Sequence, residues 1–425
     1  MSDNHLSELR FDSLTLQDSV RAGIRDAGFE FCTPIQASTL PIALEPRDVA
    51  GQAQTGTGKT AAFLVATFER LLASDPVAGE EKQPRAFMLA PTRELAIQIA
   101  NDAELLGKHT NFKIGLAYGG TDYEKQRRII GDGIDILIGT PGRIIDYFKQ
   151  GVYKLSQVEV AVLDEADRMF DLGFIKDIRY LLRRLPPPDK RLNMLFSATL
   201  SQRVMELAYE HMNEPELIRI EPDKITADRV RQAIFFPSNK EKMPLLIGLI
   251  REIGEGRIMV FVNMKREAER VEAYLNANGL HASAISGDVP QKKRMRMLLD
   301  FQAGDLPVLI GTDVASRGLH VPDVQCVINY DLPQDAEDYV HRIGRTARAG
   351  AAGDAISFGC ETYAVSLPDI EAFIGHKIPV ANYDHSLLPE LVRPKSKPRR
   401  PQQGGRGKPG GRNNSGSRRR PPRRS

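Results

Sequence analysis

Three carboxylates fall within four residues at Asp164-Glu165-Ala166-Asp167, where the apolar run Val158–Leu163 stops. Like charges this close repel, so a cation belongs among them. About a hundred residues upstream lies a segment suited to an anion, Ala53-Gln54-Thr55-Gly56-Thr57-Gly58-Lys59-Thr60. It follows the short apolar segment Val49-Ala50 and precedes the helical run Ala61–Leu72. A Gly-rich turn that feeds a helix N-terminus aims backbone N–H groups at phosphate oxygens. Lys59 can reach the β- and γ-phosphates of a nucleoside triphosphate, and the Thr60 hydroxyl can ligate Mg²⁺. Ala53 stands where this kind of loop usually has its first glycine, a small change if the backbone there is not at positive φ. The two segments together predict a nucleotide site. Asp164 would hold the metal through water, and Glu165 would orient and deprotonate the attacking water. Asp167 is expected to hydrogen-bond the Ser-Ala-Thr segment at Ser197–Thr199 or to reach between domains.

Such groups need rigid elements to hold them. Short apolar runs alternate with amphipathic segments along the chain. The expected strands are Ala86–Ala90, Ile114–Ala117, Ile134–Gly139, Val158–Leu163 and Leu192–Ser197. After a break at Glu221-Pro222-Asp223-Lys224 they resume at Ile258–Val262, Ala282–Ser286, Val308–Gly311, Val324–Asn329 and Ala355–Phe358. Helical patterns such as Glu94–Leu106 and Lys265–Leu275 lie between them. The second of these puts Ala268, Val271 and Leu275 on one stripe. This alternation predicts two α/β lobes with parallel sheets covered on both faces. Their expected extents are 1–220 and 229–392, with a linker at 221–228.

The chain has 425 residues, 41% apolar and 27% charged, as a soluble globular protein does. No apolar stretch approaches the roughly 20 residues that span a bilayer. The start, MSDNHLSELRF, has no basic region followed by an apolar core, so no secretory signal is expected. Cys32, Cys326 and Cys360 are scattered without metal-type spacing and are read as reduced thiols of a cytoplasmic protein. The net charge of +3 conceals an asymmetry: residues 393–425 carry 13 Lys and Arg and no acid, which leaves −10 on residues 1–392. That Arg/Gly/Pro-rich tail cannot bury enough apolar surface to order itself and is expected to be disordered. It reads either as a solubilising end or as a set of phosphate contacts.

An ordered series of motifs resembles the DEAD-box ATP-dependent RNA helicases of superfamily 2 over residues 9–375. Phe11, Gly28-Phe29 and Thr33–Gln36 come first, within a nucleotide-selecting stretch at 9–37. AQTGTGKT, Pro91–Leu95, Gly119-Gly120, Thr140–Arg143, Asp164–Asp167 and Ser197–Thr199 follow. The second half has Val260–Val262, Gln291–Arg294, Thr312–Leu319 and His341–Arg348.

The resemblance implies two RecA-like lobes with ATP in the cleft between them. Phe29 would stack on adenine, and Gln36 would bond its Hoogsteen edge, as an amide with one donor and one acceptor can do for adenine but not guanine. Arg345 and Arg348 would stabilise charge at the γ-phosphate from the second lobe, three apart on one face of a helix if Ala336–Arg348 is helical. His341 is read as a structural hydrogen-bonding residue. RNA would cross both lobes at Thr92, Arg93, Gly119, Gly120, Thr140, Pro141, Gly142, Arg143, Arg294 and Thr312. Such contacts position a strand without reading its bases and can select RNA by its 2′-OH. Asp167, Ser197 and Thr199 would couple the lobes. The sequence departs from the family at His320, where relatives have an Asp that accepts a bond from the ATP ribose.

The resemblance implies local unwinding of short duplexes in RNA degradation, with docking on an endoribonuclease E scaffold. An ATP-gated RNA clamp and a DNA helicase are the competing readings. The intact Glu165 stands against the first, and the Gln36 motif with the DEAD spelling against the second.

Overall fold

A computed structural model describes residues 6–53, 56–120, 122–220, 230–286, 288–313, 324–346 and 353–394. Among the described residues, thirteen strands form two sheets. The first sheet holds β1 (Val49–Gln52), β2 (Ala86–Leu89), β3 (Ile114–Ala117), β4 (Ile136–Gly139), β5 (Val160–Leu163), β6 (Leu192–Ser197) and β7 (Glu216–Arg219). The second holds β8 (Val230–Phe235), β9 (Ile258–Phe261), β10 (Ala282–Ile285), β11 (Val308–Gly311), β12 (Cys326–Asn329) and β13 (Gly353–Phe358). Their spatial orders are β3-β4-β2-β5-β6-β1-β7 and β10-β11-β9-β12-β13-β8. Every pairing between these strands is parallel.

The central strands are buried because they are apolar on both faces. Alternate residues of β5 serve different cores: Val160 and Val162 pack into one, Ala161 and Leu163 into the other. In β9, Ile258 and Val260 are likewise separated from Met259 and Phe261. Each fully buried Val, Leu, Ile, Phe or Met contributes about 1.5–3 kcal/mol. The helix Lys265–Ala277 buries the expected stripe of Ala268, Val271 and Leu275 completely.

Two expectations need amendment. The helix that begins at Ala336 ends at Ile343, not at Arg348. Gly344 follows, and Thr346 leaves the helical path to bridge Val324. Arg345 therefore sits in a turn, and the argument from a shared helix face does not apply to it. Strands β1, β7 and β8 also go beyond the expected set. β7 buries a single residue, Ile218, so it has no apolar run to mark it.

Within the second lobe a buried ionic network ties the strand ends together. Lys242 Nζ lies 2.5 Å from Asp331 Oδ1, and the guanidinium of Arg342 donates two bonds of 2.6 Å to the Asp313 carboxylate. Arg342 also donates to the Asp331 carbonyl and to Asn263 Oδ1. Among the described residues, no helix is long and apolar enough to cross a membrane.

Candidate nucleotide and RNA sites

From Ala53 onward, each motif of the first lobe lies at the carboxyl end of a strand, the edge where open parallel sheets bind ligands. The sheet order sorts these motifs. β1, β6 and β5 are neighbours and carry Ala53–Thr60, Ser197–Thr199 and Asp164–Asp167. β2, β4 and β3 lie together on the other side and carry Pro91–Leu95, Thr140–Arg143 and Gly119-Gly120.

On the nucleotide side, Ala53 is buried and its N–H donates to the Ser197 carbonyl at 2.9 Å. It is not among the residues with positive φ. A Cβ is therefore accommodated where the usual glycine is absent. Gly56 and Gly58 both have φ of 89°, and Gly58 caps the helix Lys59–Leu72. A Cβ on Gly58 would stand 2.5 Å from Gln36 Nε2, so only glycine fits both the conformation and the space.

Gln36 explains that close approach. Its Nε2 donates to the Gly58 carbonyl at 3.0 Å, and its Oε1 accepts from Thr33 N at 2.8 Å. Thr33 and Gln36 thus form a capping box at the start of the helix Pro34–Ala43. An amide has two N–H donors and two lone pairs, so one of each remains for a purine edge. Phe29 is 40% exposed and stacked on the buried Phe11, ring centroids 6.2 Å apart. Phe29, Gln36, Gly56, Gly58 and Thr60 line a cavity of about 190 Å³. The opposite wall is one face of the helix Arg93–Leu106, with Leu95, Gln98, Asp102 and Leu105. Burial pushes the Asp102 carboxyl up to about 6. Thr57 lies in the same loop. Gln54 and Thr55 lie outside the described residues.

Lys59 joins this cavity to a larger one of about 410 Å³. Its Nζ lies 3.0 Å from Asp164 Oδ1, and both side chains are almost wholly buried. Burial opposes the ammonium charge, but Asp164, Glu165 and Asp167 outweigh that effect and hold Lys59 protonated. Burial raises the Asp164 pKa; Lys59 pulls it back, and Glu165 adds to the rise. Asp164 Oδ1 also accepts from Glu165 N at 2.9 Å, whereas its buried Oδ2 has no hydrogen-bond partner among the described residues. A buried carboxylate oxygen left in this way, on a cavity that Thr60 also lines, fits a hard divalent cation. Glu165 is non-glycine at φ 54°, ψ 53°, a left-handed conformation that costs about 1–3 kcal/mol.

Asp167 bonds within its own lobe. Its Oδ2 accepts from Thr199 N at 3.1 Å and from the Thr199 hydroxyl at 3.4 Å. Its own N–H donates to Ser197 Oγ at 3.1 Å. Among the described residues, these bonds reach the Ser-Ala-Thr segment. The second lobe enters the 410 Å³ cavity through Asp335, Asp338, His341 and the buried Arg345. Arg348 and His320 lie outside the described residues.

On the other side, Thr92 caps the helix Arg93–Leu106 by accepting from Leu95 N. Thr92, Arg93, Gly119, Thr140, Gly142 and Arg143 line a cavity of about 480 Å³. Arg294 of the second lobe completes it. A Cβ on Gly119 would meet the Arg93 guanidinium at 3.2 Å, so glycine there lets the cation approach. Arg143 lies over the Tyr123 ring at 4.8 Å and donates to Tyr147 Oη at 3.1 Å, which fixes its fork. Gly120, the buried Pro141 and Thr312 are not among the residues lining this cavity. Thr312 is the residue after β11. Motif reading missed Gln98, Asp102, Arg168, Asp335 and Asp338, which line the two nucleotide-side cavities; the i, i+3, i+7 spacing of Leu95, Gln98 and Asp102 was the available signal for the first two.

Two parallel-sheet lobes with a phosphate loop, a carboxylate pair and cations converging on one cleft define a two-lobe ATPase of the helicase class. The DEAD/DEAH box helicase family matches residues 33–207, and the helicase conserved C-terminal domain matches residues 241–350. The chain is 58% identical over 396 residues to the ATP-dependent RNA helicase RhlB of Shewanella pealeana, covering 93% of this chain and 91% of that protein. It is 58% identical over 390 residues to the RhlB of Histophilus somni, covering 92% and 93%. Among solved structures, Saccharomyces cerevisiae Dbp5 bound to RNA and ADP BeF3 superposes with a TM-score of 0.77 at 32% identity, covering 87% of this chain and 95% of that one. Mss116p bound to ssRNA and AMP-PNP gives 0.77 at 26% identity, covering 90% and 81%. The chain belongs to the DEAD-box ATP-dependent RNA helicases, and within them to the RhlB type. It is an ATPase with two RecA-like lobes, and it binds RNA.

Proposed function

We propose that this helicase separates short RNA duplexes locally, by closing its lobes on ATP and one RNA strand. The observation that carries the reading is the sheet order, with nucleotide motifs on β1, β6 and β5 and strand-contact motifs on β2, β4 and β3. Both cavities also include second-lobe residues, Arg345 in one and Arg294 in the other, so lobe closure and ligand binding favour each other.

In this reading Phe29 and Gln36 select adenine, and the 53–60 loop with Lys59 cradles the phosphates. Glu165 takes the proton of the attacking water, while Arg345 and Arg348 stabilise the charge that develops. Thr60 and, through water, Asp164 would hold Mg²⁺, which neutralises phosphate charge when bound. Thr92, Arg93, Gly119, Gly120, Thr140–Arg143, Arg294 and Thr312 grip the RNA backbone without reading bases. Asp167, Ser197 and Thr199 relay nucleotide state within the first lobe. His320 replaces a charged ribose acceptor by a neutral one, weakening closure by about 1 kcal/mol. His320→Asp then lowers the ATP KM without a partner present, and an unchanged KM removes His320 from the mechanism.

The setting we propose is cytoplasmic RNA degradation on an endoribonuclease E scaffold, supported by the likeness to RhlB proteins. The test is strand displacement against duplex length. Local opening predicts a steep fall as the duplex lengthens. Sustained unwinding of long duplexes refutes it, and ATP turnover without any strand displacement favours a clamp.

A further inference from the structure

Arg168 follows the DEAD residues directly and belongs to no strand-contact motif. Its place in the fold is particular. β5 stands at the border of the first sheet, between the nucleotide strands β6 and β1 and the RNA strands β2, β4 and β3. The short helix Ala166–Asp171 leaves that border strand, and Arg168 is 6% exposed within it. Its side chain lines the 410 Å³ cavity with Lys59, Glu165 and Arg345. It also lines the 480 Å³ cavity with Arg93, Arg143 and Arg294. Among the described residues, it is the one shared by these two cavities.

The backbone ties this cation to the catalytic turn. Arg168 N donates to Asp167 Oδ1 at 2.9 Å, and the other oxygen of that carboxylate accepts from Thr199. Met169 N donates to the Glu165 carbonyl at 3.1 Å. Glu165 itself is held in the left-handed region, a conformation that persists only while its surroundings impose it. A guanidinium is charged at any working pH and offers donors in a rigid fork. In a poorly solvated wall, an anion on either side pulls on it more strongly than in water.

From this arrangement we infer that Arg168 is a positioning residue, coupling RNA occupancy of one cavity to the placement of Glu165 in the other. It sets how strongly RNA stimulates ATP hydrolysis. The inference rests on the proposed reading that ATP phosphates enter the first cavity and the RNA backbone the second. An RNA phosphate drawn to the fork shifts the first turn of the helix Ala166–Asp171, and Glu165 moves with it. No bond is made or broken by Arg168.

The experiment measures ATP turnover of the full chain with and without saturating oligouridine, for the wild type, Arg168→Met and Arg168→Lys. The readout is the ratio of the two turnover numbers. A merely structural fault lowers both numbers together and leaves the ratio unchanged. The expected result for Arg168→Met is a ratio lower by about tenfold, the size of one charge-assisted contact. Arg168→Lys, which keeps the charge but loses the fork, recovers part of it. Ratios within about twofold of the wild type in both variants overturn the inference. If thermal melting shows that Arg168→Met does not fold, Arg168→Lys decides alone: a fall of about threefold or more supports the coupling, and a smaller change refutes it. A wild type that RNA does not stimulate at all refutes the functional reading itself, a separate outcome.

Discussion

The guanidinium of Arg294, on the second lobe, stands 3.1 Å from the carboxylate of Glu94, on the first, with the two side chains 13% and 8% exposed. A residue expected to meet an RNA phosphate is thus in contact with a protein anion, and that contact spans the two lobes. A hydrogen bond between charged groups contributes about 1.5–3 kcal/mol. Glu94→Gln is therefore expected to broaden the distribution of lobe separations in the ligand-free protein, read by energy transfer between dyes on the two lobes. Arg294→Ala should do the same and also weaken RNA binding. A distribution that Glu94→Gln leaves unchanged would show that the pair does not hold the lobes.

Lys59 and Glu165 line the same cavity but meet different parts of the proposed chemistry. Lys59→Ala removes the counter-charge of Asp164 and is expected to abolish ATP binding and lower the melting temperature. Glu165→Gln keeps size and hydrogen bonding, so nucleotide binding persists while hydrolysis falls by about 10²–10⁴-fold. Equilibrium nucleotide binding and single-turnover hydrolysis at saturating RNA separate the two. Near-normal hydrolysis by Glu165→Gln would remove it as the base.

Asp102 gives a pH signature. Burial raises its carboxyl from 3.8 to about 6, so between those values the folded protein binds more protons there than the unfolded chain. Stability from this group is complete below the lower value and is lost as pH rises through the upper one. With solvent screening allowed for, the loss is about 1–2 kcal/mol. Asp102→Asn should flatten the stability curve between about pH 4 and 6 and raise the melting temperature at neutral pH. Parallel curves for the variant and the wild type would exclude the effect.

Residues 395–425 lie outside the described residues, yet the chemistry of the tail is testable. Deleting 393–425 removes 13 cations and no acid. If they meet phosphates, RNA affinity falls and the slope of log K against log salt becomes shallower. The core ATPase should survive at high RNA. An unchanged slope would assign the tail to a protein partner or to solubility.

Much of this architecture was legible because parallel strands are apolar on both faces. Ile114–Ala117, Leu192–Ser197 and Val308–Gly311 appear as expected, to the residue. The edge strand β7 buries one side chain, Ile218, and has no such run. The helix end at Ile343 depends on Thr346 finding a bridge partner in Val324, which no local pattern encodes. Lys59 and Asp164 could be named from their motifs, since their chemistry is inseparable from their spacing. Arg168 could not, and the helical spacing that puts Gln98 and Asp102 on one face with Leu95 does not say which wall of which cavity that face meets.

Gly58 bears on pharmacology and resistance. A replacement there must adopt a φ of 89° and also place its Cβ 2.5 Å from the Gln36 amide. Either demand alone destabilises the loop, and relieving the second means giving up the amide that is proposed to choose adenine. An inhibitor pressed against the Gly58 backbone would thus face a target with few escape mutations. One that draws its affinity from Phe29, 40% exposed, would leave the target a freer route to escape.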